Sequence, residues 1–175
     1  MAEHGVSALQ ALFRGEVDLV QSAPSQAFSS AQKGEKPPAL HFAQINNTDG
    51  FFIVGRTPES DFTIKNLRGH RVIVDHGGQP LYMFNYACQK AGLQLEEFEA
   101  IDAGSADEMA AAFRRGEGDY VHLQGPAPQQ LEVEGSGVVV GRVGDWVGRC
   151  AFSSLASRSD WLESDTAPSF MRVFR

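Results

Sequence analysis

The six residues Asp75-His76-Gly77-Gly78-Gln79-Pro80 carry the densest chemistry in this chain. A β-branched run at residues 71–74 precedes them, and a helical pattern follows over residues 80–91, closed by Gly92. Glycines in a strand-to-helix turn let a ligand approach the backbone, and the unpaired N–H groups of a helix start receive an anion or a carbonyl oxygen. His76, Gly77, Gly78 and Gln79 are therefore candidate ligand-binding residues. A tight connection with glycines placed for geometry alone explains the same letters. His76-Gly77-Gly78 also matches the oxyanion element of lipases, but no GxSxG elbow accompanies it, and no GK[ST] follows as a phosphate loop requires.

Two further groups have the donors and acceptors for a small polar ligand. Asn46, Asn47, Thr48 and Asp49 follow an apolar run, and Asn46, Asn47 and Asp49 are candidate contacts; a hairpin turn would use the same Asx residues. Ser22 and Ser25 follow one predicted strand as Gln124 and Gly125 follow another, so these four would line opposite walls of a cleft. Trp146 and Tyr82 could stack on a flat ligand, although buried aromatics are more often core. The five histidines show no HExxH or paired-carboxylate spacing, which argues against a metal. Asp18 and Asp119 each follow Gly-Glu-x at a strand entry, where turn duty is commoner than catalysis, so no catalytic residue and no cofactor is assigned.

The elements that must position these groups announce themselves through a repeat. SALQALFRGEVDLVQS at residues 7–22 returns as DEMAAAFRRGEGDYVHLQ at residues 107–124, with Gly15 aligned on Gly116, an offset of 116 − 15 = 101. Each copy reads as an amphipathic helix ended by glycine, a short turn and an apolar strand. The spacing exceeds any solenoid unit and implies two related lobes. The first helix is expected over residues 6–14, a surface loop over residues 33–38, and strands over residues 39–45 and 51–55. From residue 71 the order is strand, helix, strand at 98–101, helix at 106–115 and strand at 120–123. That alternation predicts an α/β fold with doubly wound, mainly parallel sheets. Strands at 137–143 and 150–157, a helical turn at 160–163 and a helix from 168 complete the chain. Residues 1–55 are expected in lobe 1, 56–145 in lobe 2, and 146–175 back in lobe 1.

Composition narrows the partners. The chain has 175 residues, 42% of them hydrophobic and 21% charged, as a globular protein requires. A net charge of −7 and the lack of a basic stripe argue against nucleic acid. No apolar run reaches the length of a membrane span, and the first ten residues lack the pattern of a signal peptide. Cys88 and Cys150 have no ligand spacing and read as two thiols.

In order and spacing, the segments DFTIKNLRGHRVIVD, HGGQP, AAAFRRGEGDYVHLQGPAP and CAFSSLASRSDWLESDTAPSF resemble the type II periplasmic substrate-binding proteins of the nitrate, sulfonate, taurine and thiamine-precursor group. Leu67, Gly69, Val72 and Val74 match the segment that opens the second lobe of that family. Ala111, Gly116, Asp119 and Pro126 match its Ala-rich helix, G-x-x-D turn and following proline. The resemblance implies a two-lobed binding protein, incomplete at both ends, whose turn at residues 75–80 touches ligand. It further implies a monomer outside the cytoplasm that closes on a hinge and presents a small organic or anionic solute to ABC transporter permease subunits, without enzymatic activity. The alternative it leaves open is a cytoplasmic enzyme of cofactor biosynthesis on the same scaffold.

Overall fold

The structure, a computed structural model, describes residues 8–28, 32–35, 37, 39–75 and 77–174. The expected helix start at Val6 and the candidate residue His76 lie outside them, as does part of the loop at residues 33–38. Two compact units emerge: Met1–Asn47 with Ala151–Arg175, and Thr48–Cys150.

In the first unit, helix α1 (Ala8–Phe13) leads into strand β1 (Leu19–Ser22), and β2 (Leu40–Asn46) and β8 (Ser153–Ser157) complete a three-stranded sheet in the order β1-β8-β2. Both neighbours pair antiparallel to β8, with Ser22 opposite Ser154 and Asn46 opposite Ser153. Leu12 of α1 is fully buried against Val20, Ala39 and Ala156, with Leu9 beside them. Two short helices, later labelled α6 (Ser159–Leu162) and α7 (Thr166–Val173), end the unit, and Trp161 bridges them to the sheet through Phe42 and Phe170.

The second unit is a five-stranded mixed sheet in the order β5-β4-β6-β3-β7. Its strands are β3 (Phe51–Gly55), β4 (Arg71–Val74), β5 (Glu99–Asp102), β6 (Tyr120–Gln124) and β7 (Val138–Arg142), and its helices are α2 (Gly78–Ala91), α3 (Ala106–Arg114), α4 (Ala127–Val133) and α5 (Val143–Val147). The run β5-β4-β6 is parallel, as the alternation of strands and helices predicts, while β3 pairs antiparallel with both β6 and β7. Assignment of residues 51–55 to the first lobe is therefore corrected: β3 is tied by main-chain bonds to two strands of the second unit. The unit also runs on past residue 145 to Cys150, because α5 packs on α2 and β3. Nor do β2 and β3 form a hairpin across Asn46–Gly50, since they belong to different sheets.

Side-chain alternation along β6 divides this core. Val121 and Leu123 face α3 and α4, packing with Phe113, Met109 and Leu131, whereas His122 faces the Phe84 and Phe51 rings. Helix α3 starts on a capping box in which Ser105 Oγ accepts the Glu108 N–H at 3.4 Å and Glu108 Oε2 accepts the Ser105 N–H at 2.7 Å. Helices α4 and α5 escaped the sequence pattern because each is short, with seven and five residues, and offers too few turns for a periodicity.

The repeat is a structural one. Arg14, Gly15 and Glu16 donate to the carbonyls of Gln10, Leu12 and Ala11, and Arg115, Gly116 and Glu117 donate to those of Ala111, Phe113 and Ala112, each pair offset by the same 101 positions. Gly15 and Gly116 take φ of 71° and 85°, the left-handed turn that ends a helix cheaply only with glycine. An arginine from the adjacent antiparallel strand end locks each copy. Arg158, after β8, donates to Leu12 O and Val17 O; Arg56, after β3, donates to Phe113 O and Gly118 O. Leu12 and Val17 are the repeat counterparts of Phe113 and Gly118.

Candidate functional site

Each unit gathers polar groups where its strands end. In the first unit Ser22 closes β1 and Asn46 closes β2, and both lie beside the start of β8. That start supplies Ser153 and Ser154, buried like Ser22. Gln21 Nε2 donates to Ser153 Oγ at 3.2 Å, and His41 Nδ1 lies 2.6 Å from Ser154 Oγ. Burial lowers the His41 pKa, so the neutral imidazole is favoured. Among the described residues no carboxylate bonds the far ring nitrogen. Asn46 O accepts the Phe152 N–H and the Gln44 amide, and Asn47 stays exposed. Ser25 lies in the 3-10 turn Pro24–Ala27, where its carbonyl accepts the Phe28 N–H.

In the second unit the carboxyl end of β6 meets the start of β3. Gln124 is opposite Phe51, and Gly125 N–H donates to Gly50 O at 3.4 Å. Asp49 Oδ1 accepts the Phe51 N–H at 2.7 Å, but its buried Oδ2 has no partner. Desolvation pushes the Asp49 carboxyl up to about 6, outweighing that backbone bond. On the other side of β6, strand β4 runs into the glycine turn. Gly77 N–H donates to Asp75 Oδ1 at 3.2 Å, Gly78 opens α2 with φ of 68°, and Gln79 is buried in its first turn.

The structure thus brings Asp49, Gly77, Gly78, Gln79, Gln124 and Gly125 to one end of the second unit, and Ser22, Ser25, Asn46 and Asn47 to the strand ends of the first. Sequence reasoning missed His41, Ser153 and Ser154. The strand at residues 150–157 was legible, but its place between two other strand ends was not. Trp146 is half-buried, packed on Phe62 at 5.9 Å and close to Gly141, while Tyr82 is 67% exposed on α2. Asp119 accepts the Arg71 N–H and pairs with Arg71, and Asp18 pairs with Arg158, so both aspartates are strand-entry groups. Both cysteines are free; burial pushes the Cys88 thiol up to about 12, which makes it inert. Among the described residues no group of three His, Cys, Asp or Glu could hold a metal ion. No described helix is long and apolar enough to cross a membrane. The strand ends carry hydroxyls, amides, a carboxyl and main-chain N–H groups.

No protein-family model matches the chain. It is 28% identical over 145 residues to the Bacillus subtilis protein YtlA, which bears the name of a binding protein; the match covers 81% of this chain and 43% of YtlA. Among solved structures it is similar to the periplasmic aliphatic sulphonate binding protein SsuA of Escherichia coli, with a TM-score of 0.75, 18% identity and coverage of 95% of this chain and 55% of that one. The alkanesulfonate-binding SsuA of Xanthomonas axonopodis, solved with MOPS, gives 0.66, 20%, 94% and 55%. The chain therefore has the mixed α/β fold of the SsuA-type periplasmic binding proteins and spans about half the length of these relatives.

Proposed function

We propose that the chain is the ligand-binding part of a solute-capture protein serving an ABC-type importer. Its ligand is a small organic or anionic molecule of the sulfonate, nitrate, pyrimidine or aromatic carboxylate class. The observation that carries this reading is the convergence, in the second unit, of Gln124, Gly125 and the Gly77-Gly78 turn at the carboxyl ends of β4 and β6. Ligands of open α/β sheets sit at that end, where a helix start offers free N–H groups. Ser22, Asn46 and Asn47 remain candidate contacts at the strand ends of the first unit. A fold shared with SsuA-type proteins supports the reading, as does the name of YtlA. The protein acts without catalysis, as a monomer, outside the cytoplasm, with permease subunits as its partners.

A melting-temperature screen tests it. A ligand at a hundred times its Kd adds about 2.7 kcal/mol to the native state. One member of a panel of alkanesulfonates, nitrate, pyrimidines and aromatic carboxylates is expected to raise the melting temperature, and Gln124→Ala to abolish the rise. If no member of the panel shifts the purified protein, the assignment fails.

A further inference from the structure

The outer face of α2 carries two tyrosines that the sheet does not cover. Tyr82, Asn85, Tyr86 and Gln89 follow one another at i, i+3, i+4 and i+7 and so share one stripe of the helix, whereas Phe84, Ala87 and Cys88 are buried. With Leu95 and Glu96, from the 3-10 turn Leu95–Glu97, they line a hollow of about 360 Å³. Tyr82 is 67% and Tyr86 49% exposed, and Leu95 is exposed beside them. Among the described residues the side chains of Tyr82, Asn85, Tyr86, Gln89 and Glu96 have no hydrogen-bond partner. A helix stripe at this spacing is ordinarily apolar and covered, or charged and solvated; here it is aromatic, amide-bearing and open. Among the described residues no basic side chain lines the hollow, and none of its lining residues belongs to the Asp75–Gly78 turn or to the strand ends assigned to ligand capture.

The chemistry of this hollow selects its occupant. A tyrosine offers a flat ring face and a hydroxyl, and a side-chain amide offers both an acceptor and donors, so the stripe can stack and can exchange hydrogen bonds in either direction. A sugar ring meets both demands. Its C–H bonds, slightly positive, lie on the negative face of an aromatic ring, while its hydroxyls donate and accept around the edge. A purely aromatic ligand would use the rings and leave the amides idle, and an inorganic anion would meet a carboxylate with no cation beside it. Tyr82 and Tyr86 stand one helix turn apart, about 5.4 Å along the axis, which sets two stacking platforms in file for two linked rings. We propose that this face binds a neutral saccharide, with two pyranose rings of an oligosaccharide on Tyr82 and Tyr86 and their hydroxyls bonded to Asn85, Gln89 and Glu96. The site does not rest on the solute-capture reading, which places its ligand against Gln124 and the glycine turn.

The test is a titration of the isotope-labelled protein with cellobiose, followed by amide shifts, with sorbitol as a compound that has the hydroxyls without the ring faces. Saturable shifts at Asn85, Tyr86, Gln89 and Leu95 are expected with cellobiose and none with sorbitol. Tyr82→Ala and Tyr86→Ala should each weaken binding about tenfold, the worth of one stacked ring, whereas Tyr86→Phe keeps the ring and should retain most of the affinity. Both positions are exposed, so the variants should melt with the wild type and a lost signal is not a lost fold. Shifts confined to Gly78, Gln124 and Gly125 would place the sugar in the capture site. Self-association of the free protein that Tyr86→Ala abolishes would assign the face to a second copy of the chain. Either outcome overturns the inference, as do equal shifts with sorbitol, no saturable binding, or binding that survives both alanine variants.

Discussion

At His122 the second unit buries an imidazole completely between Phe51 and Phe84, with ring centroids 4.6 and 5.0 Å away and no hydrogen bond to either nitrogen. A neutral ring carries one donor and one acceptor, and leaving both unmade costs about 1–3 kcal/mol. Burial also drives its pKa down to about 3 from 6.5. Below pH 6.5 the unfolded chain takes up a proton that the native ring refuses until pH 3, so stability falls with pH by up to about 1.4 kcal/mol per unit. Asp49 works in the opposite direction. Its native pKa, about 6 against an ordinary 3.8, means that its stabilising effect is full below 3.8 and lost as pH rises through 6. The two windows overlap, so their slopes offset each other in the wild type and separate only in variants. His122→Leu, which keeps the site apolar and removes both orphaned nitrogens, is expected to gain about 1 kcal/mol at pH 7 and considerably more at pH 5. Asp49→Asn retains an acceptor for the Phe51 N–H without the buried charge, and should gain about 2 kcal/mol at pH 8, the gain fading as pH falls through 6. Urea denaturation of the three proteins at pH 5, 7 and 8 measures both, and parallel curves would refute both assignments.

The helix-turn-strand repeat is where sequence and structure agree most closely, because everything it needs is local: a glycine that accepts positive φ, apolar positions at helical spacing, and an aspartate at the strand entry. The arginines that lock it were not legible, since Arg56 and Arg158 come from far along the chain and reach their carbonyls only through the antiparallel pairings of β3 and β8. The same limit hid the role of β3. Its apolar run reads as a strand, but which strands it joins depends on partners that no local pattern encodes. Likewise the glycine turn at α2 was readable as a strand-to-helix connection, whereas the His41–Ser154 and Gln21–Ser153 pairs arise from cross-strand register. The locks are testable as a matched pair. Arg56 also lies over the Phe113 ring at 3.6 Å, which adds a cation–π contact. Arg158→Met and Arg56→Met should each cost about 2 kcal/mol, because bonds to one helix-end carbonyl and to one carbonyl of the following turn are lost. Lysine at either position should recover little, since an ammonium is a point charge without the planar fork. Recovery of wild-type stability by lysine, read from denaturation midpoints, would show that charge alone suffices.

At the scale of the whole molecule, the two units differ in how the chain builds them. Thr48–Cys150 is one uninterrupted stretch that contains all five strands of its sheet and a buried cluster around Phe113 and Leu131, whereas the first unit draws its central strand β8 from after that stretch and its two outer strands from before it. The ends of the stretch also meet: the Asp49 main-chain N–H donates to the Cys150 sulfur, and Thr48 and Asp49 lie against Gly144 at the start of α5. A continuous segment with its own core and adjoining ends satisfies the requirements for folding alone. Residues 48–150 expressed by themselves are therefore expected to melt cooperatively and to give dispersed amide resonances. The segment 1–47 by itself lacks β8, without which β1 and β2 have no described pairing partner, and is expected to remain unfolded; adding residues 151–175 through a short Gly-Ser linker in place of the second unit should restore the sheet. Calorimetry on the three pieces decides it. A non-cooperative 48–150 fragment would mean that the second unit depends on the first for its stability, and the closed ends at Asp49 and Cys150 would then reflect chain routing alone.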